Sequence, residues 1–169
     1  VAALVSEGVV TWDDRVIEHD PSFQMYDPWV THAVTIRDLF SHRSGLPGSA
    51  GNDIEEIGYD RAGILARLRL LAPAGSFRAQ HIYSNFGFTE GAVAAARAAG
   101  LAWEDAAAEK LYRPLGMAST SSRYADYAAS ANRALLHTRR DGKWAPQFTR
   151  QPDAQSPAGG ASSTARDLA

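Results

Sequence analysis

The run FGFTEGAVAAARAAG, Phe86 to Gly100, constrains this chain more than any other stretch. Alanine costs the least of all residues to place in a helix, and glycine is the usual stop, so the run predicts a helix that follows Asn85 and closes at Gly100. Its small side chains allow neighbouring elements to pack closely. The entrance to this helix, HIYSN, carries a tyrosine and an asparagine two residues apart, Tyr83 and Asn85. In an extended segment, side chains two apart project to the same side, so phenol and carboxamide would share one space. A helix mouth carries partial positive charge and free backbone donors, which favours a phenolate over a phenol. A tyrosine starts near a pKa of about 10, so service as a base near neutrality also needs cationic neighbours. The same spacing has a structural reading, in which Asn85 caps the helix and Tyr83 packs its ring on the core with its hydroxyl in water.

The rest of the chain is punctuated in the same way. VAALVSEG, residues 1–8, shows helical periodicity with Gly8 as its stop, VVTWDDRV reads as a short turn or strand, and EHDPSFQMYDPWVTHA reads as a loop broken by Pro21 and Pro28. VTIRDLFSHRSGLPG predicts a helix with Thr35 as N-cap, Asp38 completing a capping-box variant, Leu39 and Phe40 facing inward, and Gly45 as the left-handed stop before Pro47. Asp60 caps a predicted helix through Leu71, with Ile64, Leu65, Leu68 and Leu71 on its buried stripe. A helix from Trp103 to Tyr112 runs into Pro114 and Gly116, and Asp141 with Gly142 marks a hairpin between two short strand-like runs. The expectation is a mainly α segment with one short β hairpin.

Composition removes several classes of function. Seventeen basic and nineteen acidic side chains give a net charge of -2 without a basic block, so nucleic acid is not an expected partner. The absence of cysteine excludes disulfides, thiolate metal sites and a cysteine nucleophile. The longest apolar runs fall far short of the roughly 20 residues that a membrane helix needs. His19, His32, His42, His81 and His137 are scattered without a paired zinc-binding spacing, so no metal or other cofactor is expected. No serine has the glycine flanks of a nucleophile elbow. Ser41, His42 and Ser44 crowd the end of the predicted Thr35 helix and read as a helix stop, while Gly159 and Gly160 offer a backbone free to approach a cleft.

Five blocks in order, WDDRV, VTIRDLFSHRSGLPG, IYSNFGF, LYRPLGM and PAGGASSTARDLA, together resemble the serine beta-lactamase and penicillin-binding-protein-like hydrolases, with the class C beta-lactamase and related esterase branch nearest. The resemblance runs over nearly the whole chain. It implies an α+β parent fold of the beta-lactamase and DD-peptidase-like type, an antiparallel sheet flanked by helices, to which residues 1–169 contribute the helical part as a single internal segment. Of the family's three active-site motifs, Ser-x-x-Lys, Tyr-x-Asn and Lys-Thr-Gly or its variants, only the second is present. By resemblance, Tyr83 is the catalytic base or proton shuttle to the nucleophilic serine, and Asn85 hydrogen-bonds the motif lysine and the substrate.

The implied function is serine hydrolysis through an acyl-enzyme, acting on a small-molecule beta-lactam, D-amino-acid peptide or ester. Lys110 and Lys143 are preceded three positions earlier by Ala107 and Arg140, so the nucleophile is expected upstream of Val1. The uncapped start at Val1, and the helix announced by Ser163 or Thr164 with Asp167 in its first turn, support the expectation of an internal segment. The alternative is a family member without its serine that serves as a binding or scaffold protein. The family also implies a periplasmic or secreted setting.

Overall fold

The computed structural model describes residues 1–169. Eleven short helices and one hairpin follow in order: α1 Ala2–Ser6, α2 Val16–His19, α3 Pro28–Ala33, α4 Ile36–Phe40, α5 Asn52–Glu56, α6 Arg61–Leu65, α7 Asn85–Ala98, α8 Trp103–Ala107, α9 Tyr124–Ala129, β1 His137–Arg140, β2 Lys143–Pro146, α10 Ser156–Gly159 and α11 Ala165–Leu168. The mainly α expectation with one hairpin therefore stands, and no helix is long and apolar enough to cross a membrane.

Helix α7 is the axis of the packing. Phe86, Gly87, Thr89, Glu90, Gly91, Ala92, Ala94, Ala95 and Ala96 are all buried, so it is enclosed on nearly every side and not merely along one stripe. Ala94 joins a core with Val16, Val30, Leu39, Leu46, Ile64, Leu68 and Phe86, while the next residue, Ala95, joins a second cluster with Leu4, Val10 and Ile36. Only small side chains let two cores share one helix this closely. At the crossing with α4, a Cβ on Gly91 would come within 3.0 Å of the Phe40 ring and 3.2 Å of the Leu39 Cβ.

Local chemistry explains most element ends. Thr35 accepts from the Asp38 N–H at 3.2 Å, and Asp38 accepts from the Thr35 N–H at 3.0 Å, which is the predicted capping box. Asp141 and Gly142 take φ of 50° and 79°, the mirror-image turn whose twist suits β1 and β2, paired antiparallel from His137–Pro146 to Arg140–Lys143. Thr164 caps α11 as expected, by accepting from the Asp167 N–H.

Three expectations need correction. Residues 28–33 are helical and not loop, because Asp27 accepts the Trp29 N–H at 2.7 Å and Pro28 sits at the first helical position, where its missing donor costs nothing. VVTWDDRV keeps the turn of its two expected alternatives, at Trp12 and Asp13, with an isolated bridge from Arg15 to Thr35 before α2 begins. The helix capped by Asp60 ends at Leu65 and resumes as a 3-10 turn over Leu68–Leu70. The backbone turns extended at Leu71, which is 36% exposed and leaves the buried stripe that Ile64, Leu65 and Leu68 keep. Beyond α8, the Trp103–Tyr112 helix continues as a wider π turn over Ala108–Tyr112.

One residue of α7 runs against its surroundings. Glu90 is fully buried and neither carboxyl oxygen has a hydrogen-bond partner. Burial pushes its carboxyl well above the ordinary range, and Asp20 adds to the push against the opposing Arg97, which itself pairs with Asp20. A raised folded-state pKa means stability that is fully present below the ordinary carboxylate range and is lost as pH rises. Glu90→Met is therefore expected to stabilise the protein by about 1–3 kcal/mol, with a gain that grows from acidic to neutral pH in urea unfolding. A variant less stable than the parent at both pH values would contradict this reading.

Candidate active site

The site begins at the C-terminus of α4. The Arg43 N–H reaches the Asp38 carbonyl at 2.8 Å and the His42 N–H reaches the Leu39 carbonyl at 3.1 Å, the paired bonds of a Schellman stop. The left-handed residue of that stop is His42, at φ 55°, and not Gly45 as the sequence suggested. Histidine is one of the few side chains enriched in this region, so the helix can end without glycine. Gly45 takes φ 87° for another reason: a Cβ there would lie 2.6 Å from the Gly75 carbonyl oxygen, where the chain returns across residues 42–45.

That returning segment, residues 74–84, is bonded to the α4 stop along its length. The N–H groups of Ala74, Arg78 and Ile82 donate to the carbonyls of Gly45, Arg43 and His42 at 3.0, 2.9 and 2.8 Å. The Arg43 guanidinium donates to the Arg78 carbonyl, at 3.1 Å from Nε. The Arg78 guanidinium grips both oxygens of Asp38, Nε at 2.9 Å and Nη2 at 2.7 Å, although Arg78 stands at φ 62°, a left-handed conformation costly for its side chain. Asp38 is 5% exposed. Burial alone would raise its carboxyl, but the bonds from Arg78 and Thr35 outweigh it and hold the group below the ordinary carboxylate range.

Tyr83 and Asn85 follow at the mouth of α7. Ser84 is extended and accepts the Gly87 N–H at 3.2 Å, so the cap is Ser84 and the Asn85 carboxamide is not spent on capping. Asn85 is the first helical residue and half-buried. Tyr83 is 56% exposed, so its ring is not a core side chain; one face lies on the His42 ring with centroids 4.6 Å apart. His42 also meets His81 edge-on at 5.2 Å and stacks on Phe88 at 5.8 Å. Neither lysine serves this corner: Lys110 pairs with Glu7 at 2.7 Å and Lys143 lies on β2. In the sequence His42 reads as part of a helix stop. It is that, and it is also the ring against which Tyr83 rests.

Other groupings lie elsewhere. An apolar cavity of about 310 Å³ is walled by Met25, Trp29, Val30, Leu46, Leu71 and Phe77. Gly159 and Gly160 line another of about 360 Å³ with Tyr124, Tyr127 and Leu136. Asp14, Glu18 and His19 come together as a possible set of metal ligands, yet each already has a partner in the chain: Thr11 and His19 on Asp14, and Arg15 on Glu18.

A family model described as Beta-lactamase matches residues 1–169. Among curated proteins, the chain is 31% identical over 121 residues to an unguisins hydrolase of Aspergillus campestris, covering 70% of this chain and 21% of that protein. It is 30% identical over 167 residues to beta-lactamase-like protein 2 of Dictyostelium discoideum, covering 92% and 29%. The chain thus spans less than a third of the length of the curated relatives it matches. Among solved structures, a D-stereospecific amidohydrolase from Streptomyces superposes with a TM-score of 0.78 at 19% identity, over 99% of this chain and 55% of that one. A class C beta-lactamase gives 0.74 at 21% identity, over 99% and 44%, and an octameric penicillin-binding protein homologue from Pyrococcus abyssi gives 0.77 at 22%, over 98% and 39%. These structural likenesses are of fold.

The Asp38–Arg78 pair makes a measurable claim. Its depressed carboxyl contributes stability above the unfolded-state value and loses it as pH falls through the folded one. Asp38→Asn should cost about 2 kcal/mol near neutral pH, less than a fully buried pair would, because the Arg78 side chain is 46% exposed and can rehydrate. Urea unfolding as a function of pH checks it: the variant should also lack part of the acid-induced loss seen in the parent, and matching stability curves would contradict the pairing.

Proposed function

We propose a function from one premise, that this chain belongs to the beta-lactamase family. Its helices and antiparallel hairpin form part of the α+β beta-lactamase and DD-peptidase-like fold. On that premise the polypeptide that carries these residues is a serine hydrolase working through an acyl-enzyme. The observation that carries the reading is the pairing of an exposed Tyr83 with an uncommitted Asn85 carboxamide on either side of the capping Ser84, at the mouth of a 14-residue helix.

The chemistry divides into two displacements. Tyr83, as phenolate, takes the proton from a serine hydroxyl while the serine oxygen attacks the substrate carbonyl, and the proton then passes to the leaving nitrogen or oxygen as its bond to carbon breaks. In the second displacement Tyr83 takes a proton from water, which attacks the ester, and returns it to the serine. The serine comes from outside these 169 residues, as does the lysine whose charge assists the proton transfer. Asn85 orients that lysine and the acyl group of the substrate. Substrates of this reaction are small amides or esters: a beta-lactam, a D-amino-acid peptide or a simple ester. The curated unguisins hydrolase and the solved D-stereospecific amidohydrolase support this class, since both are described as hydrolytic proteins.

Tyr83→Phe in the full-length polypeptide is expected to lower kcat by about a hundredfold or more on a chromogenic ester or cephalosporin, as loss of acid-base catalysis does. Unchanged turnover would remove Tyr83 from the mechanism. Labelling by a fluorophosphonate should map to a serine outside residues 1–169, and a polypeptide that resists labelling would favour a binding role instead.

A further inference from the structure

We propose that His42 is the positioning residue of this site, holding Tyr83 in place through a neutral imidazole whose Nδ1 accepts a backbone hydrogen bond. The inference rests on the reading of Tyr83 as the proton carrier. It begins from a bond that can run in only one direction. The Ser84 N–H points at His42 Nδ1 from 3.2 Å, and a backbone amide can only donate, so Nδ1 presents its lone pair and the proton of the neutral ring sits on Nε2. The carbonyl of the same His42 accepts from Ile82 at 2.8 Å. One residue thus grips the backbone on both sides of Tyr83, and its ring supports the Tyr83 ring between those two bonds.

The grip is stiff because His42 has little freedom of its own. Its backbone is fixed by the Schellman stop of α4, and its ring is walled by Phe88 of α7 on one side and by His81 at the edge. Motion of Tyr83 away from its position would break the Ile82 or Ser84 bond or lose the ring contact. A phenol that must reach both a serine oxygen and a leaving group gains from such restraint, since displacements of about 1 Å can cost a hundredfold in rate.

The arrangement also sets an acid limit. The titratable groups in contact with the imidazole are His81 and Tyr83 on the returning segment; α7 presents Phe88 and the Ser84 amide, and on the α4 side the Arg43 guanidinium is directed to the Arg78 carbonyl. Burial, and then the second imidazole of His81, hold His42 below the ordinary histidine range. A proton on Nδ1 would place two donors face to face and break the Ser84 bond. Because the folded-state value is depressed, the grip is intact above the ordinary imidazole range and is lost as pH falls through the folded value.

The test compares His42→Asn with Tyr83→Phe in the full-length polypeptide. Asparagine tolerates the left-handed backbone and offers an oxygen to the Ser84 amide, but it supplies no ring for Tyr83 and does not titrate. The expected result is a kcat lower by about ten- to a hundredfold with KM little changed, and a kcat profile without the acidic limb from His42 that is expected of the parent. If Tyr83→Phe is inactive while His42→Asn keeps the parent kcat and acidic limb, the positioning role is overturned and the proton-carrier reading survives. If Tyr83→Phe is fully active, that reading fails and the role of His42 falls with it. Nitrogen-15 spectra of the His42 imidazole supply a readout that needs no turnover and covers the case in which the variant does not fold. They should show an unprotonated Nδ1 at neutral pH and titration below the ordinary histidine range; a proton on Nδ1 would overturn the proposal.

Discussion

The carboxylate of Asp38 lies almost wholly out of water and accepts two hydrogen bonds from Thr35 and two from Arg78. A buried charge is tolerable only when paired and bonded to this extent. The Thr35 bonds start α4, and the Arg78 bonds fasten a segment 40 residues further along the chain to the same helix. Arg78 stands in a left-handed conformation that its side chain would not choose, so the pair offsets a local cost and thereby fixes where residues 74–84 run. The entrance to α7 is placed by that constraint.

The features of the site follow from this placement in sequence. Ser84 takes the capping role, which frees the Asn85 carboxamide, and His42 closes α4 while bonding to the residues on either side of Tyr83. Tyr83 is left with one face on a ring and the rest exposed. Packing allows this because α7 is built from small residues: Gly91 lets α4 come within contact of the long helix, so that the end of one helix lies beside the start of the other. The same enclosure explains why Glu90 is an expensive residue where it stands, and why its protonated form suits the core.

Much of this was legible in the sequence because it is local. The Thr35–Asp38 capping box, the Asp141–Gly142 hairpin turn, the Asp60 cap and the alanine helix each depend on residues a few positions apart, and the structure keeps all of them. Asp27–Pro28 is equally local, a capping residue followed by proline, but proline marks a break as readily as a first helical residue, so the pattern is ambiguous in sequence. Ser84 and Asn85 are adjacent residues of nearly equal capping preference, so only the backbone conformation decides between them. Gly45 is the stop that sequence predicts for α4; the chain uses His42 there and needs the glycine for a crossing that sequence does not reveal. The Asp38–Arg78 pair and the tilted ring contact of His42 with Tyr83 join residues about 40 positions apart, and no local pattern encodes them. Tyr83 and Asn85 stand out in the sequence by their spacing and by family resemblance, whereas the capping role of His42 hides its contact with Tyr83.

The most direct test is a crystal structure of the full-length polypeptide with a boronic acid added to its serine, since the tetrahedral boronate so formed mimics the tetrahedral intermediate. The Tyr83 hydroxyl is expected within roughly 2.6–3.2 Å of the modified serine Oγ, with the Asn85 carboxamide facing the acyl-side group of the inhibitor and His42 still accepting from the Ser84 amide. A Tyr83 hydroxyl turned to solvent, out of hydrogen-bonding reach of the serine and the leaving-group position, would contradict its role as proton carrier.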